Sequence, residues 1–246
     1  TVWQLMNNGY NTGQFYSCAI EPGNTNSNVI IGGLQDNGTY FTNTLNYNQD
    51  WPKTFIGDGG YCAISHNHTN YYMSFQQGRF FKMTVSDSGA VTGYTNITPL
   101  GSSNYLFIVP FILDPTDDNV MYLCAGKSIW RNDSLNAIPI TGNKYTLISQ
   151  GWTKLSATTT GGLSSSPNIS ALDVSEGNTN RLYFGTDAGD VYRLDSCKTN
   201  GTTKVRITGS NFPANAYVSC VDADRLNANN VMVTFSNYEV PSIFYT

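Results

Sequence analysis

Asp36 and Asp58 are the two acids whose surroundings are suited to chemistry. Asp36 sits in the turn Gln35-Asp36-Asn37-Gly38 and Asp58 in Gly57-Asp58-Gly59-Gly60. Two carboxylates facing one cleft can serve a glycoside hydrolase as acid and as base or nucleophile. The same pair, helped by nearby carbonyls, offers the hard oxygens that calcium prefers, and calcium is the one cofactor this reading admits. A third use is structural, because Asp in a glycine-rich turn accepts hydrogen bonds from the local backbone. Other chemistry is thin. His66 and His68 stand two residues apart in the polar stretch Ser65–Asn70 and read as solvated loop residues with no third ligand at metal spacing. No Gly-x-Ser-x-Gly supports a serine nucleophile. Arg79, Arg131, Arg181, Arg193, Arg206 and Arg225 occupy unrelated repeat positions rather than the cluster a sialidase needs.

The elements that must carry Asp36 and Asp58 are hairpins. Asn28–Thr42 reads as an apolar strand, a tight Asp-Asn-Gly turn and a second strand, because Asn and Gly tolerate the positive φ such turns require. Near-copies follow at Tyr71–Phe81, Val120–Trp130 and Arg181–Leu194. Each is preceded by a short strand with a polar stop: Cys18–Glu21, Cys62–Ser65, Phe111–Asp114, Ser170–Asp173 and Ser219–Asp222. The markers Ile20, Ile64, Leu113, Leu172 and Val221 recur at intervals of 44 to 59 residues. Fourth strands are expected at Trp51–Phe55, Tyr94–Thr98, Trp152–Leu155 and Lys204–Thr208. Four antiparallel strands at this period make an all-β chain, a β-propeller of four-stranded blades.

Residues 1–246 read as one propeller domain or propeller segment, with four complete blades. The fifth blade follows if Thr1–Leu5 supplies a fourth strand and Ser242–Thr246 a third, closing the ring through both termini. The other reading is a segment of a larger propeller. Asn132–Gly151 is an insertion and Ala157–Pro167 a Thr-, Gly- and Ser-rich stretch, both surface loops by composition. In a propeller the turn between strands two and three shares a face with the crossover into the next blade. Gln35, Asp36, Asn37, Asp58, Gln76, Gln77, Lys127, Asp187 and Asp190 should therefore ring one mouth of the channel. The aromatics Tyr10, Phe15, Tyr16, Tyr61, Tyr71, Tyr72, Phe80, Phe81, Tyr105 and Phe107 are expected mainly between blades.

Composition narrows the partners. Only 12% of residues are charged and the net charge is −4, so a phosphate-binding face of clustered Lys and Arg, and with it nucleic acid, is not expected. No apolar run approaches the ~18 residues of a membrane-spanning helix. The balance of Asn, Thr, Ser, Gly and Tyr resembles secreted or surface β-proteins. The five cysteines match no zinc pattern, and Cys18, Cys62 and Cys220 fall on corresponding strands, where buried free thiols are expected in preference to structural disulfides. Asn37, Asn67, Asn96, Asn132, Asn168 and Asn200 lie in glycosylation sequons, of which most arise by chance in so Asn-, Ser- and Thr-rich a chain.

The phrase Gly32-Gly33-Leu34-Gln35-Asp36-Asn37-Gly38-Thr39, followed by Gly57-Asp58-Gly59-Gly60-Tyr61-Cys62-Ala63-Ile64, resembles the sortilin-like and photosystem-stability-factor-like propeller superfamily. It is similar above all to large secreted propellers carrying type IX secretion signals. Ile207–Pro213 through Ser236–Tyr238 is similar to the same group, whose Ser-x-Asp-x-Gly-x-x-Trp box is degenerate here at Ser86–Gly89 and Thr186–Gly189. The resemblance implies a propeller, an extracellular or cell-surface location, and a strand at Ile243–Thr246 that runs on into further blades. The expected function is a non-catalytic binding or scaffold module for a protein or glycan partner. The alternatives are a glycoside hydrolase using Asp36 and Asp58, and a structural subunit of a surface assembly.

Overall fold

Each repeat start becomes the first strand of an antiparallel meander, because its β-branched and apolar residues pack on both sides of a sheet. The computed structural model describes residues 2–6, 12–160, 167–176, 180–199 and 203–246. Blade 1 comprises β1 (Phe15–Ile20), β2 (Ile30–Leu34), β3 (Gly38–Thr42) and β4 (Lys53–Phe55). Blade 2 comprises β5 (Gly59–Ile64), β6 (Tyr71–Phe75), β7 (Arg79–Val85) and β8 (Val91–Asn96). Blade 3 comprises β9 (Phe111–Asp114), β10 (Asp117–Ala125), β11 (Ser128–Asn132) and β12 (Trp152–Leu155). Blade 4 comprises β13 (Ile169–Val174), β14 (Arg181–Thr186), β15 (Val191–Asp195) and β16 (Lys204–Arg206). Blade 5 comprises β17 (Val218–Ala223), β18 (Val231–Phe235) and β19 (Ile243–Tyr245). Strands in every sheet follow chain order, and the five sheets are arranged as a five-bladed β-propeller.

The core lies between blades rather than inside any one of them. Tyr72, Phe80, Tyr122, Leu123 and Phe184 belong to a cluster spanning blades 2 to 4, with smaller clusters joining blade 1 to 2 and blade 4 to 5. Where neighbouring sheets approach most closely, a side chain is excluded. A Cβ on Gly33 would lie 2.2 Å from the Gly60 carbonyl oxygen, and one on Gly185 would lie 2.2 Å from Val218 Cγ1. Gly33 on blade 1 and Gly59-Gly60 on blade 2 are therefore where these two blades touch through backbone. Trp152 adds a polar tie, its Nε1 donating to the Ile97 carbonyl at 2.8 Å across blades 3 and 2.

Two expectations are corrected. Residues 2–6, the described part of the segment expected to complete blade 5, join no sheet, and Val2, Trp3, Leu5 and Met6 are all more than 80% exposed. Among the described residues blade 5 consequently has three strands, and Met232, Ile243 and Tyr245 on its outer face are exposed while Val231, Val233 and Phe235 face blade 4 and are buried. Blade 1 mirrors this with exposed Phe15 and Ile20. The second correction concerns the insertion across 132–151, which is no free loop. Leu135 is fully buried and Ile138 nearly so. The buried Lys82 ammonium donates to both their carbonyls, at 2.8 and 2.9 Å. The segment then runs beside blade 2, where Asn96 N donates to Asn143 O at 2.8 Å and Ile148 N to Thr98 O at 3.0 Å. Part of the 157–167 stretch, with Thr1, Tyr10 and Asn200, lies outside the described residues.

Candidate functional site

In blades 2, 4 and 5 the turn between strands two and three carries a side chain that ties the blade to its own entry loop. In blade 2, Asp58 N donates to Gln76 Oε1 at 3.0 Å. In blade 4, Asn168 N and Nδ2 donate to the two oxygens of Asp187, at 3.0 and 3.1 Å. In blade 5, Tyr217 N donates to Asn237 Oδ1 at 2.6 Å. A second set of bonds links the turns of blades 1, 2 and 3 to the blade that follows. Asp36, held at φ 59°, donates its amide to Asp58 Oδ1 at 2.6 Å, and Gln77, at φ 62°, donates its amide to the Phe107 carbonyl at 2.9 Å. In the third blade the direction reverses, Ile169 N donating to Gly126 O at 2.8 Å. Asp58 thus stands where the next blade uses a backbone carbonyl.

This places Asp36 and Asp58 together, but through one backbone amide rather than as two free carboxylates. Asp36 is exposed and Asp58 half-buried. Beside them, burial and then the charges of Asp58 and Asp36 raise the Tyr16 phenol above its ordinary value. Asn37 folds back on its own turn, donating to the Gln35 carbonyl at 3.0 Å. Lys127 is exposed, and its carbonyl accepts from Thr160 N at 2.8 Å. Among the described residues no three His, Cys, Asp or Glu side chains gather as a metal site. His66 and His68 separate, His66 Nδ1 meeting Asp118 at 2.7 Å and His68 Nδ1 meeting Glu21 at 3.0 Å.

Asp190 stands apart, in a groove of about 760 Å³ on blade 4. One wall is the turn at 188–190, another is β16, and the third is the crossover 208–215 leading to blade 5. Residues two apart on a strand share a face, so β16 presents Lys204 and Arg206 together. Arg206 Nε and Nη2 donate to Asp190 Oδ1 at 2.8 and 2.6 Å, while the arginine side chain stays 61% exposed. Asp190 Oδ2 accepts from the Tyr192 hydroxyl at 3.2 Å, and Oδ1 also accepts from Thr208 at 3.3 Å. The bond to Asp190 holds the guanidinium above its ordinary pKa, while burial followed by Asp190's charge raises the Tyr192 phenol. Lys204 Nζ donates to Thr159 O at 2.6 Å and lies 5.4 Å from the Tyr192 ring centre. Of these groove residues only Asp190 is expected at the mouth from sequence, and Lys204-x-Arg206 on one face of β16 is the pattern that points to the rest.

The first strands of the blades enclose a smaller space. A cavity of about 370 Å³ is lined by β1, β5 and β9 and by Arg225. On β13, Asp173 bridges blades 4 and 5, accepting from Ala223 N at 2.8 Å. Burial pushes its carboxyl up to about 7. All five cysteines are free, but only Cys62, Cys124 and Cys197 are buried, and Cys18 and Cys220 are exposed. Strands β1 and β17 belong to the blades whose outer faces lack a neighbour among the described residues, which is why those two thiols depart from expectation. Two sequon residues prove structural. Asn96 and Asn132 are fully buried, each accepting from the amide two residues on and donating to a carbonyl of the insertion.

Comparison with protein-family models and with curated proteins finds no match for this chain. What the fold defines is a five-bladed β-propeller, a class consistent with a binding or scaffold module. Among the described residues no helix is long and apolar enough to cross a membrane.

Proposed function

We propose that the chain is a secreted or cell-surface propeller of the sortilin-like kind, acting as a non-catalytic module that binds a glycan at its turn-bearing mouth. The observation that carries this reading is the composition of the blade 4 groove. Tyr192, Thr208, Ser210 and Asn215 line it, side chains whose hydroxyl and amide groups are of the kind that hydrogen-bond sugar hydroxyls. Its one carboxylate, Asp190, is engaged by Arg206, whereas glycoside hydrolysis needs two acids flanking the bond. The other acid pair at the mouth, Asp36 and Asp58, is spanned by a backbone hydrogen bond. The low charge and the Asn-, Ser- and Thr-rich composition support an extracellular setting.

The test is a panel of polysaccharides offered to the wild type and to Asp58→Asn and Asp190→Asn, read both for binding and for reducing ends released. Binding without hydrolysis supports the module. Hydrolysis that disappears in Asp58→Asn sinks it in favour of a glycosidase, and a wild type that retains no polysaccharide sinks the glycan reading.

A further inference from the structure

We infer that the blade 4 groove selects anionic glycans, those bearing uronic acid carboxylates, over neutral ones. The inference rests on the glycan-binding reading above and names its ligand class. The charged side chains lining the groove are Asp190, Lys204 and Arg206, which gives a local balance of one positive charge in a chain whose net charge is −4. That local excess lies inside a concave site, where field lines concentrate.

The donor geometry carries the argument further. Asp190 Oδ1 takes the Nε and Nη2 edge of the guanidinium, which fixes the plane of the fork. A guanidinium has five N–H donors, and with its side chain 61% exposed Arg206 keeps donors open to solvent beyond the edge that Asp190 holds. Lys204 Nζ makes two bonds to carbonyls, Thr159 O at 2.6 Å and Ala157 O at 3.4 Å, and an ammonium has three protons. A planar fork already anchored on one side, with an ammonium on the same strand face, suits a planar carboxylate. Asp190 also limits what can enter. A densely charged polyanion such as a nucleic acid backbone would meet its negative charge, whereas a uronic acid brings one carboxylate per sugar and hydroxyls that can donate to Asp190 Oδ2 and to the Tyr192 oxygen, each of which has a lone pair beyond the bond between them. The ring stack of Tyr192 on Phe184, at 5.3 Å and 21°, holds that hydroxyl in place from beneath.

Calorimetric titration of the full chain with oligogalacturonate and with a neutral cello-oligosaccharide of equal length tests the inference. The expected result is binding of oligogalacturonate at least about tenfold tighter than of the neutral oligomer, a difference of about 1.4 kcal/mol. Arg206→Gln and Lys204→Gln should each lose about tenfold toward oligogalacturonate with little change toward the neutral sugar, and Arg206→Lys should recover only part. Raising salt from about 0.05 to about 0.5 M should weaken the wild type toward the acidic ligand alone. Should Arg206→Gln fail to fold, the Lys204→Gln variant and the salt series still decide. Equal affinity for both oligomers, or an acidic affinity indifferent to Lys204→Gln and to salt, overturns the anionic selectivity and leaves glycan binding standing. Binding of neither oligomer while another glycan of the panel is held overturns the selectivity alone. Retention of no glycan at all overturns both.

Discussion

Replacing Asp58 separates a latch from a catalyst. Asp58 Oδ1 accepts the Asp36 amide at 2.6 Å, across the boundary between blades 1 and 2. A hydrogen bond to a charged acceptor contributes about 1.5–3 kcal/mol when buried. Here Asp36 is exposed and Asp58 half-buried, so solvent competition places Asp58→Ala at about 1–1.5 kcal/mol. For a chain of this size each kcal/mol moves Tm by about 2–4 °C, giving a drop of about 2–6 °C. Asp58→Asn keeps an acceptor oxygen in the same place and should lose no more than about 0.5 kcal/mol. Gln76→Ala, which removes the neighbouring bond to Asp58 N, should cost about 1 kcal/mol. Because both bonds fix the same loop, the double variant should fall short of the sum. Calorimetric or circular-dichroism melts of the wild type and these variants measure all of this. If Asp58→Ala melts with the wild type, or if Asp58→Asn is as damaging as Asp58→Ala, the acceptor argument fails and Asp58 must be explained some other way.

Three further outcomes follow from the packing. Gly33→Ala should destabilise by about 3 kcal/mol or more, because its Cβ would meet a backbone oxygen that cannot rotate aside; a melt within about 2 °C of the wild type, which corresponds to a loss of about 1 kcal/mol or less, would refute the close approach. Asp173, whose folded carboxyl is raised to about 7 from an unfolded value near ~3.9, is a group that binds its proton more tightly when folded. Its contribution is present at acid pH and lost as pH rises through about 7, so Asp173→Asn should flatten stability between about pH 4 and 7 and raise Tm at about pH 8; an unaltered pH profile would count against it. In a thiol titration of the native protein Cys18 and Cys220 should react, while Cys62, pushed up by burial to about 12, Cys197, pushed up to about 11, and Cys124 should wait for denaturant.

The strand grammar is legible because each repeat start and hairpin has its own apolar period and turn residues, and β1, β5, β9, β13 and β17 all fall on the expected segments. Even the short outer strands β4 and β12 are readable from Trp51 and Trp152. What composition hides is tertiary. The insertion looks like loop because its sequence is polar, yet Lys82, fifty-odd residues earlier in the chain, satisfies two of its carbonyls, a relation no local window contains. Residues 2–6 have the right composition for an outer strand, but a pattern of apolar residues does not specify which sheet edge receives it. The blade 4 groove is half visible. Asp190 reads as a residue of the mouth, whereas Lys204 and Arg206 look like scattered charge until β16 puts them on one face and the crossover 208–215 supplies the opposite wall.

The turn-to-entry bond seen in blades 2, 4 and 5 is made by Gln76, Asp187 and Asn237 in turn. What recurs is an oxygen at one point in space, and the residue type that delivers it differs each time. Selection acting on such a turn has no reason to distinguish an amide from a carboxylate, so that position is free to drift while the blade around it stays the same shape. Charge at the mouth can therefore change, and with it the ligands the molecule attracts, without the blades having to refold.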